Sequence, residues 1–294
     1  MKGRNSAAQE NLRRKSIWKD VWRRFRKNRA AMFGMGMFFV IVLSLAFADL
    51  IRPYETAVTG VGTDRLMGPC AQYWFGADQL GRDIFARILH GGRVSLLVGI
   101  LPTLIAVVIG SVLGAASGFY GGRFDNIVMR LLDVINCIPS MLLMLAIVAA
   151  LGTGMLNLIA ALTISSIPGM ARLVRSTVIG ISDMEYIHAA RAYGTSDAVI
   201  IRKHVLPNAM GPIIITAAGT VSSAIIAAAS LSFLGFGVQP PAPEWGSMLS
   251  DAKGFMREAP HMMIFPGAAI VLSAMAINLM GDGLRDALDP RLKD

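Results

Sequence analysis

Residues 182–207 read SDMEYIHAARAYGTSDAVIIRKHVLP, a polar stretch with helical patterning between two long apolar stretches. Its formal charges are carried by Asp183, Glu185, Arg191, Asp197, Arg202 and Lys203. Each charge costs about 2.5–3.5 kcal/mol near the centre of a bilayer, so burying all of them would cost roughly 15–20 kcal/mol. The stretch is therefore expected to lie in water, between segments that lie in a membrane.

The local signals within this stretch predict two short helices joined by a glycine turn. Ser182 stands three residues before Glu185, which is the spacing of a capping box, and Gly194 suits the left-handed position that ends a helix. Residues 195–197 can start a second helix, which is expected to stop near Pro207. A compact helical projection of this kind suits the docking of another protein on the aqueous side.

The composition of the rest of the chain indicates a helical membrane protein. Hydrophobic residues make up 54% of the sequence, and the mean hydropathy is +0.56. Residues 94–122, 134–171 and 205–243 contain no Lys, Arg, Asp or Glu. At about 20 residues for each crossing, the pattern predicts an all-α integral membrane protein with six transmembrane helices. The predicted spans are 30–51, 94–118, 131–151, 157–178, 211–236 and 262–283.

The distribution of Lys and Arg predicts the orientation of these spans. With the N-terminus inside, the inner segments carry 21 Lys and Arg residues and the outer segments carry 7. Cytoplasmic segments are enriched in these residues, so both termini and residues 182–207 are expected to be cytoplasmic. The net charge of +9 then reflects topology and calls for no nucleic-acid partner. Ala46 to Ala48 could also end a cleaved signal peptide, but the long basic region before the apolar run favours an uncleaved signal anchor.

At this point the polar stretch resembles a known motif, the EAA loop of ABC importer permeases. The matching positions are Ala189, Ala190, Gly194, Leu206 and Pro207. His188 occupies the position of the family glutamate, and Glu185 lies one helical turn earlier. The resemblance implies that this loop docks a cytoplasmic ATPase through Glu185, His188, Ala189, Ala190, Gly194, Asp197, Leu206 and Pro207.

Three further stretches resemble the C-type permease subunit of dipeptide, oligopeptide and nickel importers. They are FGADQLGRDIFARILHGGRVSLLVG (75–99), LSFLGFGVQPPAPEWGSML (231–249) and GDGLRDALDPRL (281–292). The resemblance implies a type I ABC importer permease fold in a bacterial or archaeal cytoplasmic membrane. It also implies a heterodimer with a second, homologous permease, two cytoplasmic ATPase subunits that hold ATP and Mg²⁺, and an extracytoplasmic solute-binding protein. The implied substrates are short peptides, with nickel or another small solute as the alternative.

The chain is expected to have four parts. Residues 1–29 form a basic cytoplasmic tail, within which residues 16–29 predict an amphipathic helix at the membrane interface. Residues 30–93 hold the first span and a long outer loop, 94–283 the permease core, and 284–294 a cytoplasmic tail. The outer segments 52–93 and 237–261 are expected to receive solute from the binding protein. Alternatively, the end of the 52–93 segment is a short helix that sets the angle at which the next span enters the membrane.

Within the spans, the residue pattern favours packing over chemistry. Gly110, Gly114 and Gly118 repeat every four residues, a spacing that lets another helix backbone approach closely. The apolar spans contain no central carboxylate of the kind that ion-coupled carriers use, which leaves a carrier as a distant alternative. The sequence has no phosphate-binding G-x-x-x-x-G-K-[ST] loop and no pattern of catalytic or metal-ligating residues. The chain is therefore expected to be a transport subunit without enzymatic activity or a cofactor of its own.

Overall fold

The computed structural model describes residues 19–288, which are helical apart from loops and one isolated β-bridge between Ala77 and Asp83. Residues 19–25 are helical and precede the first long helix. The α-helices that follow are α1 (Arg29–Ala46), α2 (Ala48–Ile51), α3 (Tyr54–Val58), α4 (Ile84–Tyr120), α5 (Gly122–Asn136), α6 (Ser140–Leu151), α7 (Met155–Ser182), α8 (Glu185–Ala192), α9 (Asp197–Ile200), α10 (Leu206–Phe233), α11 (Trp245–Ala252) and α12 (His261–Leu288).

Five helical stretches in the described residues are long and apolar enough to cross a membrane. They are α1, α4, α7, α12 and the continuous stretch Asp197–Phe233. The pair α5 and α6 gives a sixth crossing if it counts as one span, although the two helices are bent by 85° relative to each other. The prediction of an all-α membrane protein is confirmed.

The third predicted span, 131–151, is not one continuous helix. α5 ends at Asn136, and α6 begins at Ser140, directly after Pro139. A proline has no N–H with which to continue a helical ladder, and the charged face of α5 is unsuited to hydrocarbon. The predicted span 131–151 thus corresponds to a bent pair of helices, because the average hydropathy of a window does not register a bend.

The second predicted span begins earlier than expected, at Ile84 instead of residue 94. Asp83 caps the helix, since its carboxylate accepts hydrogen bonds from the backbone N–H groups of Phe85 at 2.9 Å and Ala86 at 3.4 Å. The charge of Arg93, which suggested a loop, is paired with Asp49 at 2.7 Å. The segment predicted to set the angle of the next span is thus continuous with that span.

The helices pack into one bundle around several apolar clusters. α4 runs along α7, α10 packs on α4 and α12, and α1 lies along α12. The loop before α11 folds back onto the start of α4, where the buried Trp245 indole donates a hydrogen bond to the Ile88 carbonyl at 3.0 Å. The polar stretch 182–207 lies at the opposite end of α4 and is anchored to the tip of α7.

Candidate coupling site

The glycine turn at Gly194 has the predicted left-handed conformation, with φ of +75°. The Gly194 N–H donates to the Arg191 carbonyl at 2.9 Å, and the Thr195 N–H donates to the Ala190 carbonyl at 3.1 Å. These two bonds form a Schellman motif, which satisfies the last carbonyls of α8. The turn is therefore closed by the backbone itself.

The predicted capping box at the start of α8 is wrong. Ser182 is the last residue of α7, and its buried hydroxyl has no hydrogen-bond partner within the described residues. Met184 occupies the N-cap position of α8 without a side-chain hydrogen bond to the helix. Because α7 extends through Ser182, the serine cannot also begin the next helix. Glu185 lies in the first turn of α8, where a negative charge favours the helix dipole.

The second predicted helix does not stop near Pro207. α9 continues into a π-helical segment, Ile201–Val205, and then into α10. The Leu206 N–H donates to the Ile201 carbonyl, five residues back. Pro207 then lies in the first turn of α10, where the missing N–H does little harm. The result is one helical stretch of 37 residues, Asp197–Phe233.

The coupling segment, residues 182–207, has a buried face and an exposed face. Ile187, Ile200 and Val205 are fully buried and pack in one apolar cluster with the end of α7. The exposed face carries the predicted residues Glu185, His188, Ala189, Gly194, Asp197 and Pro207, whereas Ala190 and Leu206 are half-buried. Tyr193, which sequence analysis did not single out, is 90% exposed at the tip of the segment. Its position directly before a left-handed glycine is the signal that could have identified it.

One charge contact ties the coupling segment to the bundle, and a second joins two helices of the bundle beside it. The guanidinium of Arg191 lies 4.6 Å from the centroid of the Phe119 ring, at the end of α4. Arg175 of α7 donates two hydrogen bonds of 2.5 Å to the carboxylate of Asp125 in α5. Such a bidentate pair fixes geometry as well as charge. α4, α5, α7 and α8 are therefore linked at this end of the bundle.

The three predicted packing glycines all face α7. A Cβ atom on Gly110 would lie 2.8 Å from the Met170 Cβ, and one on Gly118 would lie 2.7 Å from the Arg175 carbonyl oxygen. A Cβ on Gly114 would overlap the carbonyl oxygen of Ala171. The backbones of α4 and α7 therefore approach at a distance that only glycine allows.

The opposite end of the bundle is held by buried charges. Asp78 accepts a hydrogen bond from Arg82 at 2.6 Å, and Asp251 lies 3.5 Å from Arg82 and 3.6 Å from Arg87. These pairs join the 52–83 loop, the start of α4 and the end of α11. Among the described residues, no group of three or more His, Cys, Asp or Glu side chains could hold a metal ion.

Glu244 caps α11 from a buried position. Its carboxylate accepts hydrogen bonds of 2.8 Å from the N–H groups of Gly246 and Ser247, and one of 3.2 Å from the Ser95 hydroxyl. Burial raises the pKa of this carboxyl, and the hydrogen bonds that it accepts partly oppose the rise. The cap therefore joins the second predicted outer segment to α4 at Ser95, through a carboxyl that burial makes costly to ionise.

Comparison with known proteins places these features in context. Residues 106–294 match the family model described as "Binding-protein-dependent transport system inner membrane component". Residues 16–69 match the "N-terminal TM domain of oligopeptide transport permease C". Residues 281–288 of the 281–292 motif form the last turns of α12. Residues 289–292 of the motif lie outside the part of the chain that the structure describes.

Individual relatives are similar over nearly the whole chain. The glutathione transport system permease protein GsiD of Pectobacterium atrosepticum is 46% identical over 287 residues, covering 96% of this chain and 95% of the relative. GsiD of Escherichia coli O157:H7 is 45% identical over 277 residues, covering 94% and 91%. Among solved structures, the inward-facing MetNI methionine ABC transporter matches with a TM-score of 0.58 and 21% identity, over 70% of this chain and 98% of that chain. This last likeness concerns the fold alone.

Proposed function

This chain belongs to the family of binding-protein-dependent transport system inner membrane components and is an ABC importer permease of the peptide/nickel group, and from that premise we propose that it forms, with a second related permease, the membrane pathway for short peptides. Its all-α architecture is the type I permease fold. It is a transport subunit and not an enzyme. ATP and Mg²⁺ belong on separate ATPase subunits.

Glutathione is the first peptide to test as the substrate. The relatives that match over nine-tenths of the chain are named glutathione transport permeases, and glutathione falls in the short-peptide class that the sequence motifs imply. Nickel remains the alternative within the same group. Uptake of labelled glutathione, with Ni²⁺ uptake measured in parallel, distinguishes the two substrates.

We assign the coupling segment to the cytoplasmic side and the loops 52–83 and 237–260 to the outside. The excess of Lys and Arg supports this orientation: the predicted inner segments carry 21 such residues, and the predicted outer segments 52–93 and 237–261 carry 7. In this arrangement an external binding protein delivers peptide to the end that contains Glu244 and Asp251. Two cytoplasmic ATPases engage the other end, one on this chain and one on its partner permease.

One observation carries the coupling proposal: an exposed tip is attached to rigid membrane helices. Tyr193 stands out from the bundle, while Ile187 and Ile200 anchor the segment in the apolar cluster beneath it. Beyond the Gly194 turn, the segment continues from Asp197 without a break to Phe233. A push on the tip would be passed to that span across the short turn, whose backbone hydrogen bonds close it.

The test is affinity purification of the tagged chain from native membranes in mild detergent, with mass spectrometry of the proteins that come with it. The wild type is compared with a variant that lacks residues 185–204. We expect a second permease and ATPase subunits with the wild type, and loss of the ATPases alone with the deletion. A chain that purifies alone and transports in liposomes without ATP would overturn the proposal in favour of an ion-coupled carrier.

A further inference from the structure

An apolar groove of about 470 Å³ opens between the N-terminal residues 19–25 and the helices α1, α4, α10 and α12. Its lining includes Trp22 and Phe25 from the N-terminal residues, Met280 and Leu284 from α12, and Ala218 from α10. Apart from the indole N–H of Trp22, all of its lining side chains are apolar. The groove does not serve the coupling segment, although residues of the predicted amphipathic helix 16–29 and of the 281–292 motif line it.

The lining of this groove excludes water as a stable occupant. A water molecule in a protein needs two to four polar partners, and these walls supply almost none. Leaving apolar surface without contact atoms also costs free energy in proportion to the empty volume. A hydrocarbon chain is the ligand whose chemistry matches such walls.

The groove lies within one leaflet of a bilayer. It begins beside Phe25, which packs on Ala31 and Ala287 at the end of the bundle that we assign to the cytoplasm. Its lining on α12 runs from Leu284 to Ile277, about 10 Å along the helix at 1.5 Å for each residue. Half of a hydrocarbon core is about 15 Å thick, so the groove is short enough to lie in the cytoplasmic half.

Cationic residues directly follow the N-terminal lining of the groove along the chain. Arg26 follows Trp22 by one helical turn, so the two residues share a face, and Arg26, Lys27 and Arg29 are all exposed. Cations at this depth attract the phosphate of an anionic lipid. The groove thus combines apolar walls for an acyl chain with a cationic rim for a headgroup.

We propose that this groove binds one anionic phospholipid of the cytoplasmic leaflet, with an acyl chain between Trp22 and Met280 and its phosphate near Arg26 and Lys27. The proposal rests on the orientation given under the proposed function. It goes beyond an interfacial helix that merely lies on the membrane, because a bound lipid would hold residues 19–25 against α1 and α12. The site would make the position of the first span depend on lipid composition.

The test uses the tagged full chain, purified with whatever partners it retains, and native mass spectrometry with added dioleoylphosphatidylglycerol or dioleoylphosphatidylcholine. We expect one phosphatidylglycerol for each chain, and binding of phosphatidylcholine weaker by about tenfold or more. Ala218→Phe replaces a small lining residue with a bulky one and should abolish the retention of phosphatidylglycerol. Ala268→Phe, at an exposed position of α12 outside the groove, is the matched control and should retain the lipid.

A second pair of variants tests the rim. Arg26→Gln with Lys27→Gln should reduce phosphatidylglycerol binding to the level of phosphatidylcholine, whereas Arg123→Gln with Arg130→Gln removes equal charge from α5 and should not.

If Ala218→Phe does not fold, as judged by its melting curve, Val221→Trp replaces it. Equal binding of both lipids, or retention in a folded filled variant, would reduce the signal to an adventitious lipid only. Lipid on the isolated chain but none in the complex with a second permease would make the groove a protein interface and overturn the proposal. Loss of the ATPases in the same samples would count against the proposed function instead.

Discussion

At the scale of single residues, Gly194 offers the cleanest test of the coupling segment. Its φ is +75°, and a Cβ atom there would meet nothing within 4 Å. Gly194→Val therefore acts through backbone strain alone, and a left-handed conformation costs an L-residue about 1–2 kcal/mol. We expect normal membrane insertion but a large loss of ATP-driven glutathione uptake, measured in proteoliposomes with the binding protein.

Gly180→Val provides the control for that experiment. Gly180 is a helical residue of α7 close to the segment, and a Cβ atom there would also meet nothing within 4 Å. The Gly180→Val variant should preserve glutathione uptake. Normal uptake by the Gly194 variant would show that the turn geometry is not needed for coupling.

His188 tests the departure from the family glutamate. Its side chain is exposed on α8, where most substitutions change stability by less than about 0.5 kcal/mol. We expect His188→Glu to keep the ATPases bound in co-purification. Loss of the ATPases with the permease still folded would mean that the partner surface has adapted to histidine.

At the scale of helices, the contact between α4 and α7 depends on glycine. Gly114→Val would force the two backbones apart, because the obstructing atom is the carbonyl oxygen of Ala171. Overpacking of this kind costs about 1–3 kcal/mol. We expect a lower melting temperature for the purified chain, whereas Ala116→Val, at a half-buried position of the same helix, should change it little. Equal melting temperatures for both variants would show that this contact can relax.

The loop that carries Glu244 makes a prediction about pH. Burial raises the pKa of this carboxyl in the folded state above its ordinary value of 4.5. The folded protein then binds the proton more tightly than the unfolded chain, so this contribution to stability is fully present below pH 4.5 and is lost as the pH rises through the folded pKa. Glu244→Gln should lessen this decline while leaving an oxygen to cap α11. Unfolding curves of the wild type and of Glu244→Gln at a series of pH values above 4.5 check this prediction. Identical dependence of stability on pH in the two proteins would contradict it.

The helices also show what the sequence can and cannot predict. Charge and hydropathy predicted the apolar spans and the aqueous segment at 182–207, because both depend on transfer free energies that add along the chain. The turn at Gly194 was predictable because one residue determines its φ. The junction at Ile201–Val205 was not, since it depends on which carbonyl each N–H reaches. The bend after Asn136 has a signal in Pro139, which the averaged hydropathy of the span obscured. Ser182 was misassigned because the end of α7 is decided by packing against neighbouring helices.

At the scale of the whole molecule, the continuity of Asp197–Phe233 bears on how much force the coupling segment must carry. To move a two-state equilibrium from 1:99 to 99:1 takes about 5.5 kcal/mol of differential binding. A 37-residue helix extends about 55 Å at 1.5 Å for each residue, which exceeds the thickness of a bilayer. An ATPase movement passed across the Gly194 turn to Asp197 can therefore reach the far end of the proposed pathway through one helix, with the Arg175–Asp125 pair and the glycines of α4 linking the neighbouring helices.

The orientation of the whole molecule can be tested with its own cysteines, Cys70 and Cys137, which are both free and exposed. Cys70 lies in the loop assigned to the outside, and Cys137 lies at the break between α5 and α6, one helical turn after Asp133, which pairs with Arg172 of α7 at 3.6 Å. A membrane-impermeant maleimide added to sealed right-side-out vesicles should label Cys70 and leave Cys137 unlabelled. Cys70→Ser and Cys137→Ser assign the signal, and permeabilised vesicles show whether Cys137 is reactive at all. The reverse pattern would put the coupling segment outside the cell, where no ATPase could reach it, and the importer mechanism proposed for this chain would fail.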